Sequence, residues 1–200
     1  MKRNYRTLAG LFGTAVFLAT ALTAAVSPAA VAAPALGSAR TSTDSSAAPD
    51  LTKALQQQAT ADVSAAARKI CYAAHVQNIG WQLQQCDGGI AGTIGKSLRI
   101  EALNVAATGT STLCGRGYVQ NIGWQAWQCG GDTQVLTLGT TGQGLRLEAV
   151  QLSIESGTIC GQAHVQDIGW QRQVCAAGPD MQIGTIGQSL RMEAVLLFVA

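Results

Sequence analysis

A seven-residue phrase occurs three times in this chain, and this repetition constrains the fold more than any other feature. The phrase Val-Gln-Asn-Ile-Gly-Trp-Gln occupies residues 76–82 and 119–125, and it recurs at 165–171 with Asp in place of Asn. Its tryptophans are 43 and 46 residues apart. A repeat of this length is one structural unit that cannot bury its apolar side alone, so we expect three units around one shared core.

A second phrase follows the first in every copy. Gly-Thr-x-Gly-x-x-Leu-Arg-x-Glu-Ala occupies residues 92–102, 139–149 and 184–194. Together the two phrases delimit a domain at 70–200 that contains three units, at about 71–108, 114–155 and 160–200.

These two phrases, in this order and three times over, resemble the clostridial hydrophobic repeat with a Gly-Trp core, the ChW repeat. The resemblance covers residues 71–200. It implies a module of an exported or surface protein, of the kind that occurs beside enzymatic or adhesive modules, with a binding role and no catalytic residues. The chain departs from the usual pattern in having paired cysteines in every copy and no companion enzyme domain.

The composition of the units predicts an all-β fold. Each unit is rich in Gly, Thr, Gln, Val and Ile and offers three or four short β runs separated by glycine turns. Three such units form a single pseudo-threefold domain, in which each supplies one sheet of a β-prism or one lobe of a β-trefoil. Both arrangements remove exposed sheet edges by closure. We prefer the β-prism, with the β-trefoil as the alternative.

The cysteines predict one disulfide in each unit. Their separation is fifteen residues in every case, in the pairs Cys71–Cys86, Cys114–Cys129 and Cys160–Cys175. An even count of cysteines at equal spacing is typical of exported, disulfide-bonded proteins, and the spacing does not fit a metal site. If the first bridge joins two facing strands of a hairpin, the register pairs His75 with Gln82 and Val76 with Trp81. Residues 77–80 then form the turn.

Side-chain alternation in the second phrase predicts a β-bulge. Ile100 and Ala102 share one strand face, whereas Arg99 and Glu101 share the other, which becomes apolar two residues later. A bulge that begins at Glu101, and at its counterparts Glu148 and Glu193, explains the change. We expect the three Arg–Glu pairs to be structural salt bridges between neighbouring units.

Nothing in the sequence predicts catalysis. An enzyme assembles one asymmetric constellation of groups, whereas the Arg–Glu pair occurs three times in one context. The histidines, His75 and His164, correspond to Tyr118 in the middle unit, an exchange that a metal ligand or a general base would not usually allow. We therefore expect a protein that is not an enzyme and needs no cofactor or metal.

The amino-terminal residues predict export. Lys2, Arg3 and Arg6 precede an apolar run at 8–26 and then small residues, which is the layout of a secretory signal peptide. We assign the signal to residues 1–32, with cleavage after Ala32 preferred. A transmembrane anchor is the alternative, but no basic stop-transfer cluster follows the apolar run. We expect a secreted or extracellular protein that can associate with the cell surface, without a stable transmembrane anchor.

Residues 33–69 are rich in Ala, Ser, Thr and Gln, and we interpret them as a linker. Their second half could form a helix capped by Asp50. Its apolar stripe is thin and consists of Leu51, Leu55, Ala59, Val63 and Ala66. For that reason we prefer a solvated, partly helical spacer to a packed helix.

Charge excludes one class of ligand. Without residues 1–32, ten basic residues remain against eleven acidic ones. Because nucleic-acid binding needs a basic face, we exclude nucleic acid as a partner. The remaining surface is polar and largely uncharged, which suits an extracellular polysaccharide or a cell-surface protein.

The repeated tryptophans and the amides beside them are the candidate ligand-binding residues, because carbohydrate sites combine aromatic ring faces with hydrogen-bonding groups. The candidates are Gln77, Asn78, Trp81, Gln82, Gln120, Asn121, Trp124, Gln125, Gln166, Asp167, Trp170 and Gln171. Pairing of Val76 with Trp81 favours rings that meet in the core near the pseudo-threefold axis, with the polar residues lining sites around them. Only the middle unit has an additional tryptophan, Trp127.

Taken together, these features predict a binding module for a cell-surface or extracellular glycan, with up to three similar sites acting together. The alternative is a protein–protein module for adhesion or matrix assembly that uses the loops at 129–139 and 175–184.

Overall fold

The structure is a computed structural model, and it describes residues 48–61, 68–178 and 180–200. The assigned signal peptide at 1–32 and most of the assigned linker lie outside these residues. The described part contains one helix, α1 (Leu51–Ala61), and three units of five strands each. This confirms the all-β prediction.

Each unit has two long strands and three short ones. In the first unit they are β1 (Lys69–Val76), β2 (Gly80–Trp81), β3 (Gln85–Cys86), β4 (Ile90–Gly92) and β5 (Ile100–Thr108). In the second they are β6 (Thr112–Val119), β7 (Gly123–Trp124), β8 (Gln128–Gly131), β9 (Leu136–Gly139) and β10 (Leu147–Ile154). In the third they are β11 (Ile159–Val165), β12 (Gly169–Trp170), β13 (Val174–Ala176), β14 (Met181–Gly184) and β15 (Met192–Val199).

Three antiparallel sheets of five strands form the domain, and each contains strands from two units. The long strands of one unit pair with each other, and a short strand from another unit completes the sheet. Strand β9 adds to β5, β14 adds to β10, and β4 adds to β15. The third exchange joins the first unit to the last, so the arrangement closes on itself. We name the sheets that contain β1, β6 and β11 the first, second and third sheets.

This topology confirms a threefold all-β domain and refines the prism prediction. The described strands form three separate sheets and no closed barrel, so the trefoil alternative is not supported. The expectation that each unit supplies its own sheet was wrong in one respect, because one strand of every sheet is exchanged. The exchanged strand forms backbone hydrogen bonds with the free edge of each pair of long strands, so that edge is not exposed.

All three predicted bulges are present. In the first sheet Val76 pairs with Ile100 and His75 with Ala102, so Glu101 has no partner across the ladder. The same break occurs at Glu148 and Glu193. The extra residue shifts the alternation of inward and outward side chains by one position. Apolar residues before and after the bulge can therefore both face the core, while the glutamate has no partner on the neighbouring strand.

The inward faces of the three sheets bury one shared core. Ile70, Tyr72, Ala74 and Val76 of β1 belong to it, as do the equivalent residues of the other long strands. The alternate residues of β1, Cys71, Ala73 and His75, therefore lie on the outward face of the first sheet.

The predicted hairpin register was correct at the disulfide and wrong at the turn. Cys71 pairs with Cys86 as expected, but His75 pairs with Trp81 and Val76 with Gly80. The turn is one residue tighter than predicted, and Asn78 (φ 62°) and Gly80 (φ 83°) both adopt the left-handed conformation that it needs. A one-residue shift moves a side chain to the other face of a sheet, so the tryptophan faces outward.

Helix α1 packs on the outward face of the first sheet. The Asp50 carboxylate caps it by accepting a hydrogen bond from the Lys53 N–H (3.0 Å), as predicted. Leu51 and Leu55 are buried against Cys71, Ala73 and other small residues of the sheet. The preferred interpretation of a solvated spacer was therefore wrong for this segment, because small sheet residues let a narrow apolar stripe pack closely. The side chains of Ala59, Val63 and Ala66 lie outside the described set.

Candidate functional site

Every unit contains a buried glutamate in an ion pair with an arginine two residues earlier. Glu101 contacts Arg99 (2.8 Å), Glu148 contacts Arg146 (2.8 Å) and Glu193 contacts Arg191 (2.9 Å). Each pair lies within one unit, so the prediction of salt bridges between units was wrong. The bulge explains this, because it places the glutamate beside the arginine of its own chain segment.

The histidines lie between the bulge glutamates and the repeated tryptophans. His75 Nδ1 lies 3.3 Å from a Glu101 oxygen, and the edge of its ring meets Trp81 at a centroid distance of 5.3 Å. His164, Glu193 and Trp170 repeat this arrangement. In the middle unit Tyr118 keeps the edge contact with Trp124 (5.3 Å). The exchange of His for Tyr therefore preserves the ring packing against the tryptophan.

The repeated tryptophans lie on the outward faces of the sheets. The favoured prediction of rings near the pseudo-threefold axis was wrong, because Trp81 pairs with His75 and not with Val76. Trp170 is 37% exposed, Trp124 is half-buried, and Trp81 packs beside α1. Outward aromatic rings are thus available in the second and third units.

The glutamine that follows each tryptophan holds an exchanged strand. Gln125 accepts a hydrogen bond from the Gly139 N–H (2.7 Å) and donates one to the Gly139 carbonyl (3.0 Å). Gln82 and Gln171 make the same two bonds with Gly92 and Gly184. Because both ends of each amide are already bonded, we do not include Gln82, Gln125 and Gln171 in the proposed site.

The other predicted polar residues lie at the hairpin turns. Asn78, Asn121 and Asp167 are exposed at the turn tips with φ near 60°, where Asn and Asp are the side chains best tolerated after glycine. Gln77, Gln120 and Gln166 precede them and are half-buried. The backbone N–H of Gln77 donates to the Arg99 carbonyl (3.0 Å), and Gln120 and Gln166 do the same with Arg146 and Arg191. The turn residues thus have a structural role, and their part in ligand binding stays a prediction.

The middle unit has a cluster that the other two units lack. The Arg116 guanidinium carbon lies 4.7 Å from the Trp124 ring centroid and 4.8 Å from that of Trp127, which is 38% exposed. Arg116 Nε donates to Gln151 Oε1 (2.7 Å), and Gln151 Nε2 donates to Gln182 Oε1 (3.0 Å). We call Arg116, Trp124, Trp127, Gln151 and Gln182 the middle-unit face.

Amino-acid differences make the three outward faces chemically distinct. The row Arg116–Gln151–Gln182 of the second sheet corresponds to Ala73–Asn104–Thr137 in the first and to Gln162–Leu196–Ile90 in the third. The first row is beside α1, the second is polar and the third is mostly apolar. Among the described residues, no helix covers the second or third sheet. We therefore do not retain the expectation of three similar sites.

Comparison with known families agrees with the threefold repeat. A family model described as Clostridial hydrophobic W matches residues 75–109, 118–156 and 164–197, which together are more than half of the chain. The chain belongs to the ChW family. No curated protein and no solved structure matched it.

The three ChW matches begin at His75, Tyr118 and His164, the residues that support the tryptophans. They include the Gln–Gly bonds and the bulge glutamates, so the matched pattern is the framework of the domain. Arg116 lies between the first two matches, although Trp127 lies within the second. Arg116 is therefore the one residue of the middle-unit face that lies outside the matched ranges.

All six cysteines of the ChW domain form the predicted disulfides, so none is left as a thiolate ligand for a metal. Three disulfides fit an extracellular protein, because such bonds persist in oxidising compartments. In the described segments, none of the helical structure has the length and apolar character that crossing a membrane requires.

Sequence reasoning noted Trp127 but missed Arg116, Gln151 and Gln182. These three come from three different strands, and the last belongs to the third unit. A signal was present in the sequence, because Trp127 corresponds to Gln84 and Gln173, and Arg116 to Ala73 and Gln162. A comparison of the units position by position would have identified two substitutions confined to the middle unit.

Proposed function

We propose that this chain is an extracellular binding module for a polymeric glycan and that the middle-unit face is its main site. The observation that carries the proposal is the exposed Trp127 ring, which shares its contact with Arg116 with the Trp124 ring and with the linked side-chain amides of Gln151 and Gln182. Aromatic rings pack against the apolar C–H patches of a sugar, and amides exchange hydrogen bonds with its hydroxyl groups.

Shape and position support an extended ligand. The middle-unit face lies on the outside of a sheet, so a polymer can pass across it without a free end. The row from Arg116 through Gln151 to Gln182 crosses three adjacent strands. Strands in a sheet are about 4.8 Å apart, so the row is about 10 Å long, enough for two sugar rings.

Binding agrees better than catalysis with how the acidic groups are used. The three bulge glutamates are buried and already paired with arginines. A glycosidase needs two carboxyl groups that flank the bond to be cleaved. None of the five residues of the middle-unit face carries a carboxyl group.

The test is retention of the chain, purified from a secreting host, on a panel of insoluble polysaccharides and cell-wall preparations. We expect retention on at least one of them and a loss of about tenfold or more in affinity for Trp127→Gln, since stacked aromatics dominate such sites. Glutamine is the residue at this position in both other units, so the fold accommodates it. The matched control is Gln173→Ala, at the equivalent place in the third unit, which should bind normally.

Two results would contradict this proposal. One is a lack of retention on every polysaccharide by protein that carries all three disulfides. The other is retention that Trp127→Gln leaves unchanged, because the middle-unit face would then not be the site.

A protein–protein module is the second candidate, and exposed apolar side chains favour it. Leu83 (78% exposed) and Ile90 (47% exposed) line a groove of about 350 Å³ beside the third sheet. The counterparts of these residues in the second unit are Ala126 and Thr137. This candidate predicts that the double variant Leu83→Ala, Ile90→Thr loses attachment to whole cells, and that soluble polysaccharide does not compete with the unaltered protein.

A further inference from the structure

Among the described residues, Arg116 differs from the arginines of the ion pairs in having no acidic partner. Arg99, Arg146 and Arg191 each contact a buried glutamate at 2.8 or 2.9 Å. Within the part of the chain that the structure describes, no carboxylate lies within ion-pair distance (4.0 Å) of Arg116. Its side chain is half-buried, so its charge is partly removed from water without a protein anion to balance it.

The guanidinium is nevertheless held in place. Its carbon lies over the rings of Trp124 and Trp127, and its Nε is bonded to Gln151, which is bonded in turn to Gln182. Among the described residues, the two terminal nitrogens of Arg116 have no hydrogen-bond partner. A fixed, planar guanidinium with free terminal N–H groups matches the paired oxygens of a carboxylate or a phosphate.

The framework of the domain does not require a cation at this position. Its counterparts are Ala73 in the first unit and Gln162 in the third, and both units fold in the same way. Arg116 also lies outside the matched family pattern. The residue is therefore specific to the middle unit, as Trp127 is.

A second cation, Arg172, is next in the chain to a residue that is bonded to the edge strand of the same sheet. Arg172 is exposed and follows Gln171, whose amide is bonded to Gly184 of the edge strand β14. The acidic residues in or next to these strands already have partners or lie beyond the strand ends. Glu148 is paired with Arg146, Asp132 accepts hydrogen bonds from the Gly109 and Thr110 N–H groups, and Glu155 accepts one from Thr112 (2.9 Å), whereas Asp180 lies just before β14. Arg116 on β6 and Arg172, next in the chain to Gln171, are thus two cations that belong to or adjoin the second sheet.

We infer that the glycan bound by the middle-unit face is acidic, and that Arg116 binds its carboxylate or phosphate groups. This inference rests on the proposed function. A cation beside stacked aromatic rings selects sugars that bear an anion, because a neutral sugar does not pair with the guanidinium charge. Arg116 is then the residue that determines specificity, whereas Trp127 supplies the stacking surface.

The experiment measures binding of the purified chain to three soluble polymers by affinity electrophoresis. They are polygalacturonate, its fully methyl-esterified form and a phosphomannan. The first two have the same backbone and differ in charge, whereas the third supplies phosphate in place of carboxylate. We expect at least one acidic polymer to bind about tenfold or more tightly than the methyl ester, in line with the strength of charge-assisted hydrogen bonds. Its binding should weaken as salt increases.

The decisive variant is Arg116→Gln, which introduces the residue of the third unit. We expect it to remove the preference for the acidic polymer, and Arg116→Lys to restore part of that preference. Lys96→Gln is the matched control, because it removes one positive charge from an exposed loop outside the middle-unit face. It should bind all three polymers as the unaltered chain does.

The outcomes separate this inference from the proposed function. Equal binding of the acidic and esterified polymers overturns the inference, and so does an equal effect of Arg116→Gln and Lys96→Gln. In either case, binding that still depends on Trp127 preserves the proposed glycan site. If none of these polymers and no material of the polysaccharide panel binds, the proposed function fails and the inference fails with it.

Discussion

The buried hydroxyl of Tyr72, in the first unit, accepts a hydrogen bond of 2.9 Å from the backbone N–H of Leu197, in the third unit. The same hydroxyl donates to the Gly89 carbonyl. Its ring belongs to the shared core, whereas its counterparts are Gly115 and Gly161. A Cβ at Gly161 would lie 2.8 Å from Leu197 Cδ2. The Tyr72 ring therefore occupies space in the shared core that its glycine counterparts leave free. Its hydroxyl joins the first and last units where the three sheets close.

The first prediction concerns stability at high pH. Burial raises the pKa of Tyr72 from 10.0 to about 12. The folded state therefore holds this proton more tightly than the unfolded state, and the stabilisation is complete below pH 10. It decreases as the pH rises from 10 towards 12, by about 2–3 kcal/mol in total. Urea unfolding between pH 8 and pH 12 measures the loss.

Tyr72→Phe is the control for this prediction. It removes the ionisable group and leaves the Leu197 N–H without its partner, which costs about 1–3 kcal/mol at neutral pH. The difference in unfolding free energy between the two proteins should then shrink above pH 10. A difference that stays constant up to pH 12 would show that Tyr72 does not ionise on unfolding.

The second prediction concerns the glycines of the exchanged strands. Gly139 has φ 98°, and a Cβ there would lie 2.4 Å from the Glu101 carbonyl oxygen. Gly139→Ala should cost about 3 kcal/mol or more, because it combines backbone strain with a clash against backbone. Gly142→Ala is the matched control, since Gly142 has φ 71° and open space around it, and should cost about 1–2 kcal/mol. Thermal unfolding of both variants checks this; equal costs would mean that strand exchange does not require close approach.

The architecture could be predicted from local patterns because the units repeat them. The fifteen-residue spacing of the cysteines predicted the disulfides, and the change of the apolar strand face at Glu101 predicted the bulge. The position of Trp81 could not be predicted in the same way. It depends on whether the turn has three or four residues. The three-residue turn needs the left-handed conformation at Asn78, and an asparagine can adopt this conformation but does not have to.

Contacts between elements that are distant in the sequence could not be predicted either. Gln182 meets Gln151 only because β14 of the third unit is exchanged onto the second sheet. Likewise, the stripe of Leu51 and Leu55 is too thin to predict packing alone, and it packs because Ala73 and Ala106 leave room on the first sheet. Both depend on which surface an element meets, which no local pattern specifies.

The third prediction concerns the order in which the disulfides are reduced. Cys71 is fully buried beneath Leu51 and Leu55 and its partner Cys86 is half-buried, whereas the equivalents of Cys86 in the other two bridges, Cys129 and Cys175, are exposed. Reduction requires attack by a thiolate on an accessible sulfur, so the bond of Cys71 should be reduced last. Timed alkylation with mass spectrometry of the peptides measures the order.

Leu55→Asp is the informative variant for the third prediction. It places a charge in the contact between α1 and the first sheet, so the helix should detach and expose the disulfide below it. The bond between Cys71 and Cys86 should then be reduced about as fast as the other two. Reduction of this bond first in the unaltered protein would contradict the protective role of α1.

The fourth prediction concerns the buried ion pair of Arg146 and Glu148, whose atoms are 2.8 Å apart. Glu148→Gln leaves the arginine charge without its partner and should cost about 3 kcal/mol. Glu155→Gln, the same change at an exposed glutamate just beyond the strand, should cost less than about 0.5 kcal/mol. Adding Arg146→Met to Glu148→Gln should recover part of the loss, because the unpaired charge is then removed. Urea unfolding of the single and double variants gives the coupling energy, and strictly additive costs would mean that the pair does not act as a unit.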